Sequence, residues 1–325
     1  VTKQHDLFGD IAPSRVAACA PSGEVTDLAA VLPRILYWGT STWSFPGWAE
    51  LVYDRNYSES QLARHGLTAY AQHPLLNAVG LDRGFYAPIP RATLRDYASA
   101  VPAEFRFVVK AWAALTTPPE LATPPYLERA PRAYLDAAVA VRDVVDPLVE
   151  ELGPRLGAIV FQFPPQGARV HRAAAFHTAL SGLLRGLPRG PVYGIELRDP
   201  ELLGGDYDAL LADNGAVHCC NVHPRMPPVD AQTRAASGPL VVRWMLHPSQ
   251  PRYEAARERY APFDRLVDPD TENRKRIARL LNKCIVTGRS AFVIANNKAE
   301  GSAPLTLLEL ARCVRELRAG TGVGR

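Results

Sequence analysis

Short apolar runs rich in β-branched residues recur along the chain, and stretches of helical period separate them. The runs are RILYWGT (34–40), LLNAVGLD (75–82), FRFVVKA (105–111), LGAIVFQF (156–163), VYGIEL (192–197), GAVHCCNV (215–222), PLVVRWML (239–246) and AFVIANN (291–297), which makes eight candidate strands. Between most of them lies a helix-period segment. SESQLARHGLTAYAQH and AAAFHTALSGLLRGL are two, and TENRKRIARLLNKCI is the clearest, with apolar residues three and four apart. Strands alternating with helices build a parallel sheet. Eight such units in one chain of this length predict the α/β class and a closed (β/α)8 TIM barrel over an open doubly wound sheet, since no GxGxxG or GxxxxGK(S/T) follows an early strand. The connection at 223–238 is proline-rich and only briefly helical, so irregularity is expected around the sixth unit. The expected organisation is a mobile tail over 1–33, a single barrel domain over 34–318 and a disordered C-terminus over 319–325.

In such a barrel, function sits where the strands end. The first strand delivers Thr40, Ser41 and Trp43, the second Asp82, Arg83 and, just beyond, Tyr86, the third Lys110 and Trp112, and the fourth Gln162. The fifth delivers Glu196 and Arg198, the sixth Asn221 and His223, the seventh Arg243, Trp244 and His247, and the eighth Asn296, Asn297 and Lys298. VYGIELRDP poses the sharpest question, because alternation puts Ile195 and Leu197 on one face and Glu196 and Arg198 on the other. Either those two charges satisfy each other and their neighbours, or their face opens onto water and a ligand.

Charge changes the picture locally more than globally. With 37 Lys and Arg against 33 Asp and Glu, the net charge of +4 is too small to establish nucleic-acid binding. Arg83, Lys110, Arg198, Arg243 and Lys298 are nevertheless all expected at one mouth, with few acids beside them, which suits a phosphate or carboxylate ligand. The alternative is that each cation pairs with a carboxylate or is solvated. Glu196 is the candidate general acid or base, with a structural Glu196–Arg198 pair as the competing reading; Asp82 is a second candidate carboxylate. His218, His223, His247, Cys219 and Cys220 carry no HxH, HExxH or CxxC spacing, so neither a metal nor any other cofactor is expected. No GxSxG elbow marks a serine nucleophile. Trp43, Trp48, Tyr86, Trp112 and Trp244 are candidate stacking surfaces, packing being the alternative. Five cysteines without a regular framework fit a reducing compartment. No apolar run reaches the length of a membrane span and the first residues lack a signal-peptide pattern, so a cytoplasmic protein without membrane attachment is expected.

The same stretches carry a family likeness. GTSTWSFPGW, FYAPIP, FRFVVKA, LGPRLGAIVFQFPP, YGIELRDPELL and FVIANNKAEGSAP, in that order over roughly residues 35–318, resemble the YecE-like family, also called domain of unknown function 72. The resemblance implies a TIM barrel and no established activity, and it places Thr40, Ser41, Trp43, Tyr86, Glu196, Arg198, Asn296 and Asn297 at signature positions. Where many members read EINSTFY, this chain reads GLDRGFY, so Gly80 replaces a glutamate and Asp82 an asparagine. Outside the barrel, QHDLF resembles the peptide by which bacterial replication and repair proteins dock on the DNA sliding clamp, with Gln4, Leu7 and Phe8 as anchors and His5 where leucine is usual. Three readings stand. The first is an enzyme, a hydrolase or lyase, that binds a small anionic substrate through Thr40, Ser41, Trp43, Arg83, Tyr86, Lys110, Gln162, Arg243, Asn296, Asn297 and Lys298, with Glu196, Asp82 and Arg198 catalytic. The second is a nucleic-acid-binding or repair-type nuclease barrel docked on the clamp. The third is a non-catalytic ligand sensor.

Overall fold

A computed structural model describes residues 15–121, 124–167, 172–232 and 237–321. Its eight strands fall on the eight apolar runs: β1 Leu36–Thr40, β2 Ala78–Leu81, β3 Arg106–Lys110, β4 Leu156–Gln162, β5 Tyr193–Glu196, β6 Val217–Val222, β7 Leu240–Trp244 and β8 Ala291–Ala295. They close in sequence order, each parallel to its neighbours, with β8 pairing β1 from Leu36↔Ala291 to Thr40↔Ala295. This is a (β/α)8 TIM barrel.

The helices are α1 Gly23–Val31, α2 Glu59–Tyr70, α3 Arg91–Ser99, α4 Ala137–Ala140, α5 Asp146–Leu152, α6 Ala173–Gly186, α7 Gly205–Asp213, α8 Tyr253–Tyr260, α9 Thr271–Thr287 and α10 Ala303–Thr321. One π-helical turn, Val141–Val145, joins α4 to α5. The start of α2 shows why such a segment folds locally: Ser58 accepts from the Gln61 backbone while the Gln61 side chain accepts from Ser58 N, a capping box that satisfies otherwise orphaned donors. After β6 the expected irregularity is present. Among the described residues that connection holds only a 3-10 turn, Val229–Ala231, followed by the buried Gln232. The Gln232 amide does the work of a missing helix by accepting from Asn221 N (2.8 Å) and donating to Asn221 O (2.6 Å) and Pro227 O (2.8 Å).

Strand alternation divides the core. Val108, Val160, Cys219, Val241, Phe292 and Ile294 belong to one buried cluster inside the barrel, whereas Val109, Phe161, Ile195, Val242 and Ala295 join the larger cluster under the helices. Two glycines keep the first strands close: a Cβ on Gly39 would lie 2.4 Å from Ala78 O, and one on Gly80 would lie 3.1 Å from both Ile294 Cγ2 and the Ser41 Cα. Gly80 therefore points into a filled interior.

The expectation of a mobile tail over 1–33 fails for residues 15–33. Val25, Leu28 and Leu32 recur at helical spacing and form a stripe that packs down; Leu28 is fully buried, Val16 nearly so, and Cys19 N donates to Val52 O at 2.9 Å. Glu24 pairs with Arg312 of α10 at 2.8 Å. That helix itself continues to Thr321, past the expected end of order at 318. Leu28→Ala should therefore cost about 2–5 kcal/mol in a denaturation experiment. An unchanged midpoint would mean that α1 contributes nothing to the fold.

Candidate active site at the barrel mouth

One step up each strand from the apolar interior, the inward positions turn polar: Ser41, Asp82, Lys110, Gln162, Glu196, Asn221, Arg243 and Asn296. Glu196 lies at the centre, with no exposed surface. Its Oε2 accepts from Arg243 Nη1 at 2.6 Å, and its Oε1 forms an ion pair with Arg198 Nη2 at 2.5 Å. Arg243 Nη1 also donates to Gln162 Oε1 at 3.3 Å and Nη2 to Asp82 Oδ1 at 2.8 Å, while Arg198 Nη1 donates to Asn221 Oδ1 at 2.9 Å. Burial alone would raise the Glu196 carboxyl, but the Arg198 and Arg243 charges outweigh it and hold the group down at about 2. Of the two readings of VYGIELRDP, the structure shows the charges satisfying each other, with a third partner from β7. A carboxylate held by two guanidiniums is ionised at neutral pH and has no proton of its own to donate there.

Lys110 behaves differently. It is 9% exposed, and its Nζ rests 3.6 Å from the Phe85 ring centroid. Among the described residues no hydrogen bond or ion pair reaches its ammonium. Burial pushes it down to about 8; Asp82 opposes this and Arg243 reinforces it. Lys298, half-buried on the rim, also has no ion pair among the described residues, its Nζ 5.9 Å from the Tyr253 and Phe263 ring centroids, and burial lowers it too. Asp82 acts on both lysines. Among the described residues the mouth thus holds two carboxylates, both matched to arginine, and two lysines matched to none.

Other expected site residues lie elsewhere. Thr40 faces α2, where its Oγ1 meets Tyr70 OH at 2.9 Å, one residue out of phase with the inward Ser41. Trp43 Nε1 donates to Leu62 O at 2.9 Å, and its ring stands edge-on to Tyr97 at 5.1 Å, so it fastens α2 to α3. Arg83 leaves the mouth altogether: it is exposed and donates to Tyr97 OH on α3 at 2.8 Å. Asn297 caps α10, its Oδ1 accepting from Ala303 N at 2.8 Å and from Trp48 Nε1 at 3.2 Å, while Asn296 Nδ2 donates to Ser41 Oγ at 2.9 Å inside the barrel end. Trp43, Trp48, Trp112 and Trp244 are all buried and offer no stacking face. Among the described residues the exposed aromatics are Tyr86 and Tyr126, edge-to-face at 5.2 Å, with Phe85 within 6 Å of both. Asn221, Phe85 and Tyr126 were not among the expected ligand-contacting residues. The inward phase of GAVHCCNV marks Asn221, whereas nothing in the sequence around Tyr126 brings it to Tyr86. Gln4, Leu7 and Phe8 lie outside the described residues. Among those described, no cluster of three or more His, Cys, Asp or Glu is arranged to hold a metal, and no helix is long and apolar enough to cross a membrane. His218 is instead held between Tyr207 OH (2.9 Å) and Gln232 Oε1 (3.3 Å), and burial takes its imidazole down to about 4.

A family model described as "Protein of unknown function DUF72" matches residues 37–322. The chain belongs to the DUF72 family. Solved DUF72 structures share its fold at low identity. A DUF72 family protein from Thermotoga maritima MSB8 superposes with a TM-score of 0.58 at 17% identity, over 87% of this chain and 99% of that one. A DUF72 family protein from Enterococcus faecalis V583 superposes with a TM-score of 0.55 at 16% identity, over 86% and 95%. No curated protein matches the chain. At these identities the DUF72 relatives speak for the barrel alone, and the chemistry rests on the mouth described above.

Proposed function

We propose that this barrel is an enzyme whose mouth binds a small anionic substrate, carrying a phosphate or a carboxylate. The observation that supports the reading is Lys110, an ammonium recessed at the end of β3 without any carboxylate of the described residues in ion-pair contact. A buried cation normally has a counter-ion, because desolvating it alone is expensive. Here the available carboxylates are taken: Glu196 by two arginines and Asp82 by Arg243. An incoming anion supplies what Lys110 and Lys298 lack, and Glu196 keeps the arginines in place while it does so. Phe85, Tyr86 and Tyr126 form an aromatic flank beside the Lys110 amine.

Calorimetric titration with inorganic phosphate and with a small phosphorylated sugar tests the reading. Each of Lys110→Met and Lys298→Met should weaken binding roughly tenfold or more, the worth of a charge-assisted hydrogen bond. Absence of binding at millimolar phosphate, or wild-type affinity in Lys110→Met, would count against it. Binding of DNA that falls steeply with salt and is indifferent to phosphate would favour the nucleic-acid reading instead.

A further inference from the structure

We propose that Lys110 condenses with the carbonyl group of a small anionic aldehyde or ketone to form an imine at the barrel mouth. The proposal rests on the anion-binding reading of that mouth and adds the substrate's reacting group.

The chain contains 32 arginines and only five lysines. Lys275 and Lys283 are exposed on α9 and Lys3 is outside the described residues, so the remaining two are Lys110 and Lys298, both at the mouth. A protein that draws its cations overwhelmingly from arginine has placed lysine where the strand end faces the barrel axis. For gripping an oxyanion arginine is the better residue, since it offers a planar fork and keeps its charge. What lysine adds is an amine that can lose its proton and act as a nucleophile.

The surroundings of Lys110 suit that chemistry. Among the described residues its Nζ has no hydrogen-bond acceptor to hold the proton, and the Phe85 ring lies against one side of it, 3.6 Å from the centroid. The charged groups that act on it are Asp82 from the end of β2, Arg243 from β7, and Glu196 and Arg198 from the end of β5. Burial and the two arginines favour the neutral amine and bring it to about 8, so a working fraction is unprotonated near neutrality.

The step balances without any redox partner. The amine lone pair adds to the carbonyl carbon, forming a C–N bond and breaking the C–O π bond. Both nitrogen protons then move to the former carbonyl oxygen, which leaves as water, and C=N forms. Asp82, the carboxylate that acts most strongly on Lys110 and the one partly exposed to solvent, is placed to move those protons. Lys298 is placed to hold the substrate's anionic group.

The test is borohydride trapping on the intact wild-type protein with pyruvate as probe, with adducts located by peptide mass spectrometry. At pH 7.5 Lys110 should be labelled about tenfold or more faster than Lys275 and Lys283, because an ordinary exposed amine titrates at ~10.4 and is almost wholly protonated there. Inorganic phosphate should protect Lys110 and leave the two exposed lysines unaffected. In Lys110→Arg, checked by melting temperature to be folded, the fast adduct should vanish. If the wild-type protein binds phosphate but labels Lys110 no faster than Lys275, the imine proposal is overturned while the anion site stands. If neither occurs, both are wrong.

Discussion

Glu196→Gln should lower stability by about 3–5 kcal/mol, the cost of leaving buried charge without its partner. The substitution keeps size and shape, so the loss reports charge and not packing. Glu196 is fully buried and Arg198 and Arg243 nearly so, which leaves water little access to compensate. For a domain of this size the change should appear as a melting temperature lower by on the order of 10 °C. Asp82→Asn breaks a comparable contact at 2.8 Å, but that carboxylate is 36% exposed, so solvent replaces much of the lost interaction and the cost should be about 1 kcal/mol or less. Acid should act as the first substitution does. Because the folded state depresses the Glu196 carboxyl from 4.5 to about 2, its contribution is present above pH 4.5 and is lost as pH falls towards 2. A Glu196→Gln protein that melts with the wild type would show that the two arginines do not depend on it.

Arg243→Met should cost a similar amount and change Lys110 as well. Its guanidinium holds Glu196, Gln162 and Asp82 together, joining β7 to β5, β4 and the end of β2. Removing it leaves Glu196 with Arg198 alone and Asp82 without its ion pair. Because Arg243 and Glu196 are each other's partner, the two losses should not add. The double variant should be more stable than the sum of the single losses predicts, by about 0.5–3 kcal/mol. Strict additivity in this cycle would mean that the arginine and the carboxylate act independently. At the same time the loss of Arg243's charge should raise the Lys110 titration from about 8, since that charge favours the neutral amine. Reductive labelling at neutral pH should slow accordingly.

The barrel was readable because each strand is a contiguous apolar run and because eight of them alternate with helices. The charged pair at Glu196 and Arg198 was visible by period, and the period put both inside. Its chemistry was not, since the partner that decides it, Arg243, comes 47 residues later and only closure of the barrel brings the two together. Thr40 and Asn297 went wrong by one residue: the strand ends present Ser41 and Asn296 inward, and the neighbours turn to α2 and α10. Arg83 and Trp43 lie beyond the strands, in turns whose direction alternation does not govern. Residues 15–33 were hidden because their apolar residues are mostly alanine and valine, with Leu28 and Leu32 the only larger aliphatic ones, yet Leu28 is wholly buried.

The measurement closest to the central claim is the titration of the lysine side chains by NMR, feasible because the chain has only five. The account predicts that the Lys110 signal, assigned by its loss in Lys110→Arg, titrates near 8 in the free protein, far below the ~10.4 of an ordinary lysine. With saturating phosphate it should move upward, as the bound anion stabilises the ammonium. A Lys110 that titrates near 10.4, or whose titration is indifferent to phosphate, would contradict an unpaired, ligand-facing amine at the barrel mouth.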